Sequence, residues 1–246
     1  MNRKTKFTCL FLLLAFLLVV FSAPLWCHTD PYWRLRYAQV ADGVFGSTTY
    51  GTTIIVSNPN NVGVDVKLED FSHSVPGAPL STSYTHSCPT VEATTTYITV
   101  HIYANSSCRL DTAWTGPGET GWLRVTETTM THDIGGYLCY TLYQGIGLGG
   151  APIFTVGISP TQIVNDFHVP VLRDLANGED TAYAVVNPWG ITISMYADLY
   201  DTLGTFLTWT TITLPSGGHR AQFFSELFPT QLQNASNFVG VVFFSG

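Results

Sequence analysis

Apolar and polar residues alternate in short runs along most of the chain, and Gly, Pro, Asn or Asp residues separate the runs. Alternate side chains of a strand point to opposite faces of a sheet, so runs rich in Thr, Val, Ile and aromatic residues predict strands. No run has a sustained helical period, and AQFFSELF at 221–228 is the one short helical candidate. The pattern predicts an all-β fold of antiparallel sandwiches. The runs are GTTIIVSN, GVDVKLEDF, TTTYITVHIYA, TGWLRVTE, GYLCYTLYQ, PIFTVGIS, TAYAVVN, ITISMYADLY, FLTWTTITL and FVGVVFF.

One strand–turn–strand unit occurs twice in the sequence. Residues 52–71, TTIIVSNPNNVGVDVKLEDF, align without gaps with residues 181–200, TAYAVVNPWGITISMYADLY. Both copies place an Asn-Pro pair between the strands, at 58–59 and 187–188, and the apolar positions of the second strand coincide. A repeated hairpin at a fixed offset indicates two related sandwiches in tandem.

The first 26 residues differ in character from the rest of the chain. A basic segment, MNRKTK, precedes an apolar run of about 20 residues, which is the architecture of a secretory signal. The run is also long enough to cross a bilayer as an uncleaved anchor, and both interpretations stay open. We expect a signal peptide or signal anchor at 1–26, followed by Ig-like sandwich domains at 31–162 and 163–246.

The sequence ends in NFVGVVFFSG, a predicted strand followed by a Ser-Gly turn. We expect the second domain to lack a final strand here, because the sequence is a fragment or because a partner donates that strand. In either case we expect unpaired backbone groups along the C-terminal edge, beside Val241 and Phe243 or their alternates. An edge of this kind favours self-association with another chain.

The charge of the chain limits its partners. Charged residues make up 11% of the sequence, and the formal net charge is −7 at pH 7. Arg3, Lys4 and Lys6 lie in the N-terminal segment, so removal of these three positive charges changes −7 to −10. An acidic surface repels phosphate groups, which argues against nucleic acid as a partner. We expect membrane contact only through an uncleaved N-terminal segment.

Export would place the cysteines in an oxidising compartment. Cys88 and Cys108 flank a predicted hairpin, CPTVEATTTYITVHIYANSSC, and we expect them to form a disulfide with Cα atoms within about 7 Å. We expect Cys139 to be a buried free thiol, and the pairing of Cys27 stays open. The seven histidines have no metal-ligand spacing, so we expect no metal site and no cofactor.

The most polar candidate site is LPSGGHRAQFFSELFPT at 214–230. A serine hydrolase would need Ser225 activated by His219, but the segment lacks a G-x-S-x-G turn. We expect a structural corner instead, in which Gly217 and Gly218 form a turn and a short helix packs Phe223, Phe224, Leu227 and Phe228 on the sandwich before Pro229 stops it. His219 or Arg220 would bind loop carbonyls, and Glu226 would pair with either of them.

Two further motifs admit structural interpretations. GIGLGG at 145–150 fits G-x-G-x-x-G, but a strand pattern follows it where a dinucleotide site needs a helix, so we expect a hairpin loop. Asp70 and Asp201 precede loops, and we expect them to begin turns rather than to form a glycosidase pair.

Aromatic residues in predicted turns are the best candidates for ligand contacts. Trp33, Trp114 and Trp189 lie in PYWRLRY, TAWTGPG and NPWG. Exposed indoles stack on sugar faces and are common in interface hot spots. We expect Trp122 and Trp209, which lie in predicted strands, to be core residues.

A series of motifs carries a resemblance to a known family. TGWLRV, GYLCYTL, VGISPT, FHVPV, AVVNP, LYDTLGT, TITLPSGGHRAQFFSELFP and FVGVVFF together resemble an uncharacterised repeat of exported bacterial proteins. The resemblance covers roughly 37–246, and its closing LP-x-GGH-x-A-x-F-x-x-ELFP motif is the most specific part. The insert with Cys88 and Cys108 departs from the pattern. The resemblance implies a β-sandwich in a cell-surface or extracellular setting, and it implies no activity.

These features lead to one functional expectation. We expect an exported, non-enzymatic structural or adhesive module at the surface of a bacterial cell, with a cell-surface glycan or protein as its partner. The alternative is a carbohydrate-binding module that uses loop aromatics. An enzyme would need a cluster of titrating groups in a pocket, and no motif predicts one.

Overall fold

The structure, a computed structural model, describes residues 33–79, 84–112, 116–145 and 150–246. Strands dominate these residues, and every strand ladder is antiparallel. The predicted all-β, sandwich-like architecture is therefore confirmed. The predicted N-terminal segment at 1–26, together with Cys27 and Trp114, lies outside the described residues.

Ten strands of the N-terminal part form one sheet with the order β10-β9-β2-β1-β8-β3-β6-β5, in which β7 also pairs with β2 and β4 with β7. β1 takes part in two ladders, because its Arg34–Asp42 part pairs with β8 and its last three residues pair with β2. The sheet therefore divides into two layers. The strands are β1 Arg34–Phe45, β2 Thr48–Asn58, β3 Val64–Ser72, β4 Tyr84–His86, β5 Thr90–Ala93, β6 Ile98–Ile102, β7 Ser106–Thr112, β8 Glu119–Glu127, β9 Gly135–Gln144 and β10 Pro152–Ile158.

The C-terminal part forms a five-stranded sheet with the order β12-β11-β17-β14-β15 and a two-stranded sheet of β13 and β16. A short helix, α1 (Phe224–Leu227), and a π-helical turn (Pro229–Gln233) follow β16. Of the helices in the described ranges, none has the length and apolarity needed to cross a membrane. The strands are β11 Asp166–Asp174, β12 Glu179–Asp180, β13 Ala182–Val186, β14 Ile193–Asp201, β15 Phe206–Leu214, β16 His219–Phe223 and β17 Asn237–Ser245.

Two hydrophobic clusters lie between the sheets. The first contains Tyr37, Ile54 and Leu123 with other residues of the N-terminal strands, and the second is built around Phe224 and Phe244. Neither cluster includes a buried residue of the other group of strands. The expected boundary between residues 162 and 163 falls in the connection from β10 to β11. The division into two Ig-like domains stays a prediction.

The alternating pattern predicted the positions of the strands correctly, but it led to a wrong prediction for one sheet edge. Each of the ten runs contains a strand of the structure. The C-terminal strand β17, however, is paired on both sides, with β11 on one and β14 on the other. Phe243 thus lies between His168 and Asp198 in the ladder. The predicted open edge along the C-terminal strand is wrong, because β17 inserts into the middle of its sheet.

The repeated Asn-Pro unit is repeated in atomic detail. Asn58, which is buried, donates its side-chain amide to the carbonyls of Val62, Ile102 and Tyr103 at 2.8, 3.1 and 3.1 Å. Its Oδ1 accepts the backbone N–H of Asn60 at 2.9 Å. One side chain therefore closes the turn after β2 and fixes the end of β6 in the other layer.

Asn187 repeats these contacts in the C-terminal part. Its amide donates to the carbonyls of Ile191, Leu214 and Pro215 at 2.7, 3.1 and 2.9 Å, and its Oδ1 accepts the N–H of Trp189 at 3.0 Å. Each partner in the turn stands at the same offset as in the first copy. This correspondence matches β2 with β13, β3 with β14 and β6 with β15.

Candidate functional site

The segment 214–230 forms a corner, and the corner contacts the N-terminal part of the chain. Gly217 adopts a positive φ of 66°, and a Cβ atom added there would lie 2.6 Å from Cα of Gly77. Only glycine allows this approach of two backbones. The Gly217 carbonyl also accepts the indole N–H of the buried Trp122 at 3.0 Å. The two glycine turns are thus packed directly on each other.

His219 lies at the centre of this contact and is 5% exposed. Its Nε2 is 3.0 Å from Oε1 of Gln39 in β1, and its Nδ1 is 3.2 Å from Nδ1 of His73. An amide oxygen only accepts, so Nε2 carries the proton and Nδ1 of His219 is an acceptor. His73 then donates from Nδ1 to this nitrogen or to the His219 carbonyl, which is 3.1 Å away. His219 therefore links two parts of the chain rather than the loop carbonyls of its own corner.

Burial, together with the smaller effect of the neighbouring His73, lowers the pKa of His219 to about 4. A backbone contact with Ala38 opposes this shift. The imidazole is therefore neutral at pH 7. A neutral base next to a nucleophile would matter for catalysis, but Ser225 donates its hydroxyl to Asp180 at 2.7 Å and not to His219. The Ser225–His219 arrangement that a hydrolase would need is absent from the described contacts of these residues.

Other details of the corner differ from expectation. Glu226 accepts the backbone N–H of Phe223 at 2.9 Å, so it caps the first turn of α1 instead of pairing with His219 or Arg220. Phe223 ends β16 and is 46% exposed, whereas Phe224 and Phe228 are buried. The helix α1 ends at Leu227, ahead of Pro229 as expected, and Pro229 begins a π-helical turn. Gly218, unlike Gly217, has no positive φ.

The disulfide is formed as predicted. Cys88 and Cys108 are bonded, with Cα atoms 5.5 Å apart. The segment between them is more than a hairpin, because β5 and β6 pair in one layer while β7 pairs with β2 in the other. The bond therefore joins the start of this segment, after β4, to β7. Cys139 is a free thiol, but it is only half-buried, and partial burial raises its pKa.

The remaining polar candidates have structural contacts. Four residues of GIGLGG, 146–149, lie outside the described residues, and the strands on either side of it, β9 and β10, pair with each other. Asp201 begins a turn by accepting the N–H groups of Leu203 and Thr205 at 2.9 and 2.8 Å. Asp70 is different from expectation, because it is buried within β3 and accepts the hydroxyl of Tyr84. The described residues contain no group of three or more His, Cys, Asp or Glu that would hold a metal ion.

The predicted loop aromatics do not form one surface. Trp33 is half-buried, and the Arg34 guanidinium lies 4.4 Å from its ring centroid. Trp189 is 47% exposed and lines a crevice of about 340 Å³ with residues of β1 and β13, and Trp33 is not among the lining residues. Trp114 lies between residues 112 and 116, outside the described ranges.

The structure reveals an apolar surface that the sequence interpretation missed. Its residues lie on the side of the five-stranded sheet that faces away from the core, and we call this surface the outer face. The register places one row across four strands, since His168 pairs with Phe243, Phe243 with Asp198, and Asp198 with Trp209. The outer face is formed by His168, Pro170, Leu172, Tyr196, Asp198, Tyr200, Trp209, Val239, Val241 and Phe243.

Two aromatic residues dominate the outer face. Trp209 is 56% exposed and Tyr196 is 55% exposed, so the prediction that Trp209 is a core residue is wrong. Their ring centroids are 5.8 Å apart, with the planes at 60° to each other. The neighbouring residues Ile212 and Leu199 point inward and are fully buried. The outer face is therefore held by a rigid core directly beneath it.

Comparisons with known proteins give no further assignment. No family model matches the chain, and searches of curated proteins and of solved structures find no significant match.

Proposed function

We propose that this protein is an exported, non-enzymatic adhesive module that binds a protein partner at the cell surface through its outer face. The observation that carries the proposal is the exposure of large apolar side chains on the outer face, where Trp209, Tyr196, Val239 and Leu172 are 56, 55, 50 and 42% exposed. A soluble protein rarely leaves a contiguous apolar patch open unless the patch has a partner. Exposed Trp and Tyr are also the residue types most enriched in interface hot spots.

The geometry of the sheet adds support. Neighbouring strands lie about 4.8 Å apart, so the row from β11 to β15 extends over about 14 Å. A rigid sheet loses little side-chain entropy on binding compared with a mobile loop. Asp198 lies in the middle of the row and provides one polar contact that would orient a partner. Trp and Tyr, the two exposed aromatic residue types of the outer face, are enriched at the core of protein interfaces.

A carbohydrate-binding function is the second candidate, and Asp198 is the observation that favours it. Its carboxylate stands directly across the ladder from Trp209, so an aromatic ring and a hydrogen-bond acceptor lie side by side. Against this candidate, the Tyr196 and Trp209 rings are inclined at 60° and do not form one flat platform.

An array of glycans and of purified cell-surface proteins, probed with the labelled chain, separates these candidates. We expect binding to proteins, weakened at least tenfold by Trp209→Ser. Tyr137→Ser is the matched control, because Tyr137 is exposed to a similar extent, 51%, on β9 of the ten-stranded sheet. Binding to glycans alone would favour the second candidate. Binding that Trp209→Ser leaves unchanged would overturn the proposal for the outer face.

A further inference from the structure

The repeated architecture leaves one position in the C-terminal part without its counterpart. In the N-terminal part β2 lies between β7 and β9. The corresponding strand β13 pairs with β16, which occupies the position of β7. On the other side of β13, where β9 would correspond, the described residues form no ladder.

The hydrogen-bond register identifies which backbone groups face this side. The backbone N–H of Asn187 donates to the Gly218 carbonyl at 2.8 Å, and the backbone N–H of Phe224 donates to the Thr181 carbonyl at 3.0 Å. In an antiparallel ladder these groups alternate along a strand. The odd-numbered residues of β13 therefore bond to β16. The N–H and C=O groups of Ala182, Ala184 and Val186 point to the unpaired side.

This unpaired side borders the crevice of about 340 Å³ described above. Ala184 and Val186 line it together with Arg36 and Ala38 of β1, Trp189, and residues 161–164 of the connection from β10 to β11. Its volume is within the range of ligand sites, about 300–1,000 Å³. The Val186 end is the more crowded one, since Val186 pairs with His219, which in turn contacts β1. The Ala182 end is exposed.

The first copy also defines the occupant. β9 pairs with β2 through Gly135 opposite Ser57, Tyr137 opposite Ile55 and Cys139 opposite Thr53. The repeat offset carries these β2 positions onto Val186, Ala184 and Ala182. β9 begins with two glycines, and a Cβ atom on Gly136 would lie 2.4 Å from the Ile55 carbonyl. The first copy thus accepts only glycine at position 136, and the Val186 end of β13 would restrict its occupant in the same way.

We propose that the open edge of β13 is a docking site for an extended segment of a partner polypeptide, which adds to the sheet antiparallel to β13 in the register that β9 has on β2. The partner segment begins with small residues at the Val186 end and continues with alternating aliphatic and aromatic residues. Main-chain hydrogen bonds to Ala182, Ala184 and Val186 supply affinity, and the crevice selects the side chains. This site is separate from the outer face, because β13 belongs to the two-stranded sheet and the outer face lies on the five-stranded sheet.

The probe for this proposal is a labelled synthetic peptide with the β9 sequence and Cys139→Ser, GGYLSYTLYQ, added to the purified chain. We expect saturable binding, measured by fluorescence anisotropy, and no binding of a peptide of scrambled order. Ala184→Pro removes an N–H that points to the unpaired side, and an edge strand tolerates proline there. We expect this variant to weaken peptide binding at least tenfold, while Ala184→Ser, which keeps the N–H, binds like the unmodified chain.

Two further measurements keep the test decisive. A peptide with Tyr137→Pro leaves the protein unchanged and should also bind at least tenfold more weakly, so a folding defect of Ala184→Pro does not obscure the result. Trp209→Ser should leave peptide binding unchanged, which separates this site from the outer face. Absence of peptide binding, or equal binding of the proline peptide, overturns the proposal. A chain that is a dimer, and that Ala184→Pro converts to a monomer without any peptide binding, overturns it in favour of a second copy as the occupant.

Discussion

At the scale of single residues, His219 joins the two parts of the chain through hydrogen bonds to Gln39 and His73. We expect His219→Ala to lower the free energy of unfolding by about 1–2 kcal/mol at pH 7, because it leaves buried partners without a hydrogen bond. Chemical denaturation measures this change. Binding through the outer face should be unaffected in the folded variant. A variant with unchanged stability and lost binding would assign His219 a functional role instead.

The same residue predicts a dependence of stability on pH. The folded-state pKa of His219 is about 4, below the ordinary value of 6.5, so the unfolded state binds the proton more readily. The stability that depends on neutral His219 is therefore complete above pH 6.5. As the pH falls towards 4, protonation of this residue in the unfolded state lowers the free energy of unfolding by roughly 3 kcal/mol. We expect His219→Gln to lose less stability than the unmodified chain between pH 7 and pH 4.5. Equal losses in both proteins would contradict this assignment.

Asn187 offers a second test at this scale. Its amide satisfies three carbonyls, and it is fully buried. We expect Asn187→Ala to lower the free energy of unfolding by about 3 kcal/mol, because buried acceptors lose their donor. Asn187→Asp should be similarly destabilising, since a carboxylate does not donate. The exposed Asn177 is the control, and Asn177→Ala should change stability by less than about 0.5 kcal/mol.

At the scale of elements, the disulfide stabilises the excursion from β4 to β7. It closes a loop with a sequence separation of 20, so replacing both Cys88 and Cys108 by Ser should cost roughly 3 kcal/mol. Cys139→Ser, which removes the free thiol, should change stability little. Thermal unfolding with and without reductant checks the result. Equal stability of the double variant and the unmodified chain would show that the bond does not limit the unfolded state.

Strand positions were predictable at this scale, and the facing of one strand was misread. In FLTWTTITL, Leu207 and Trp209 share one parity, while Ile212 and Leu214 share the other. A strand cannot bury both sets on one face. The structure buries Ile212 and Leu214 and exposes Trp209. The parity conflict was visible in the sequence, and it was the signal that would have located the outer face.

At the scale of the whole molecule, the contacts that join distant segments were not predictable from local pattern. His73 and His219 are 146 residues apart, and no spacing rule relates them. The insertion of β17 between β11 and β14 likewise depends on sheet topology, which a run of alternating residues does not specify. The repeat was the exception, because the Asn-Pro pairs at 58–59 and 187–188 marked corresponding turns in both parts.

The two clusters of core residues belong to two parts of the chain. These parts contact each other through the glycine turns at Gly77 and Gly217. The buried Trp122 adds a hydrogen bond across this contact. Such an arrangement limits relative motion of the two parts. It would hold the outer face in a fixed orientation, as the proposed adhesive role requires.

The most direct test of the proposed adhesive function is the retention, under flow, of beads coated with the chain on the surface of the cells that produce it. We expect retention above that of uncoated beads, reduced to background by Trp209→Ser and unchanged by Tyr137→Ser. Equal retention of the Trp209→Ser beads and the unmodified beads would contradict the assignment of adhesion to the outer face.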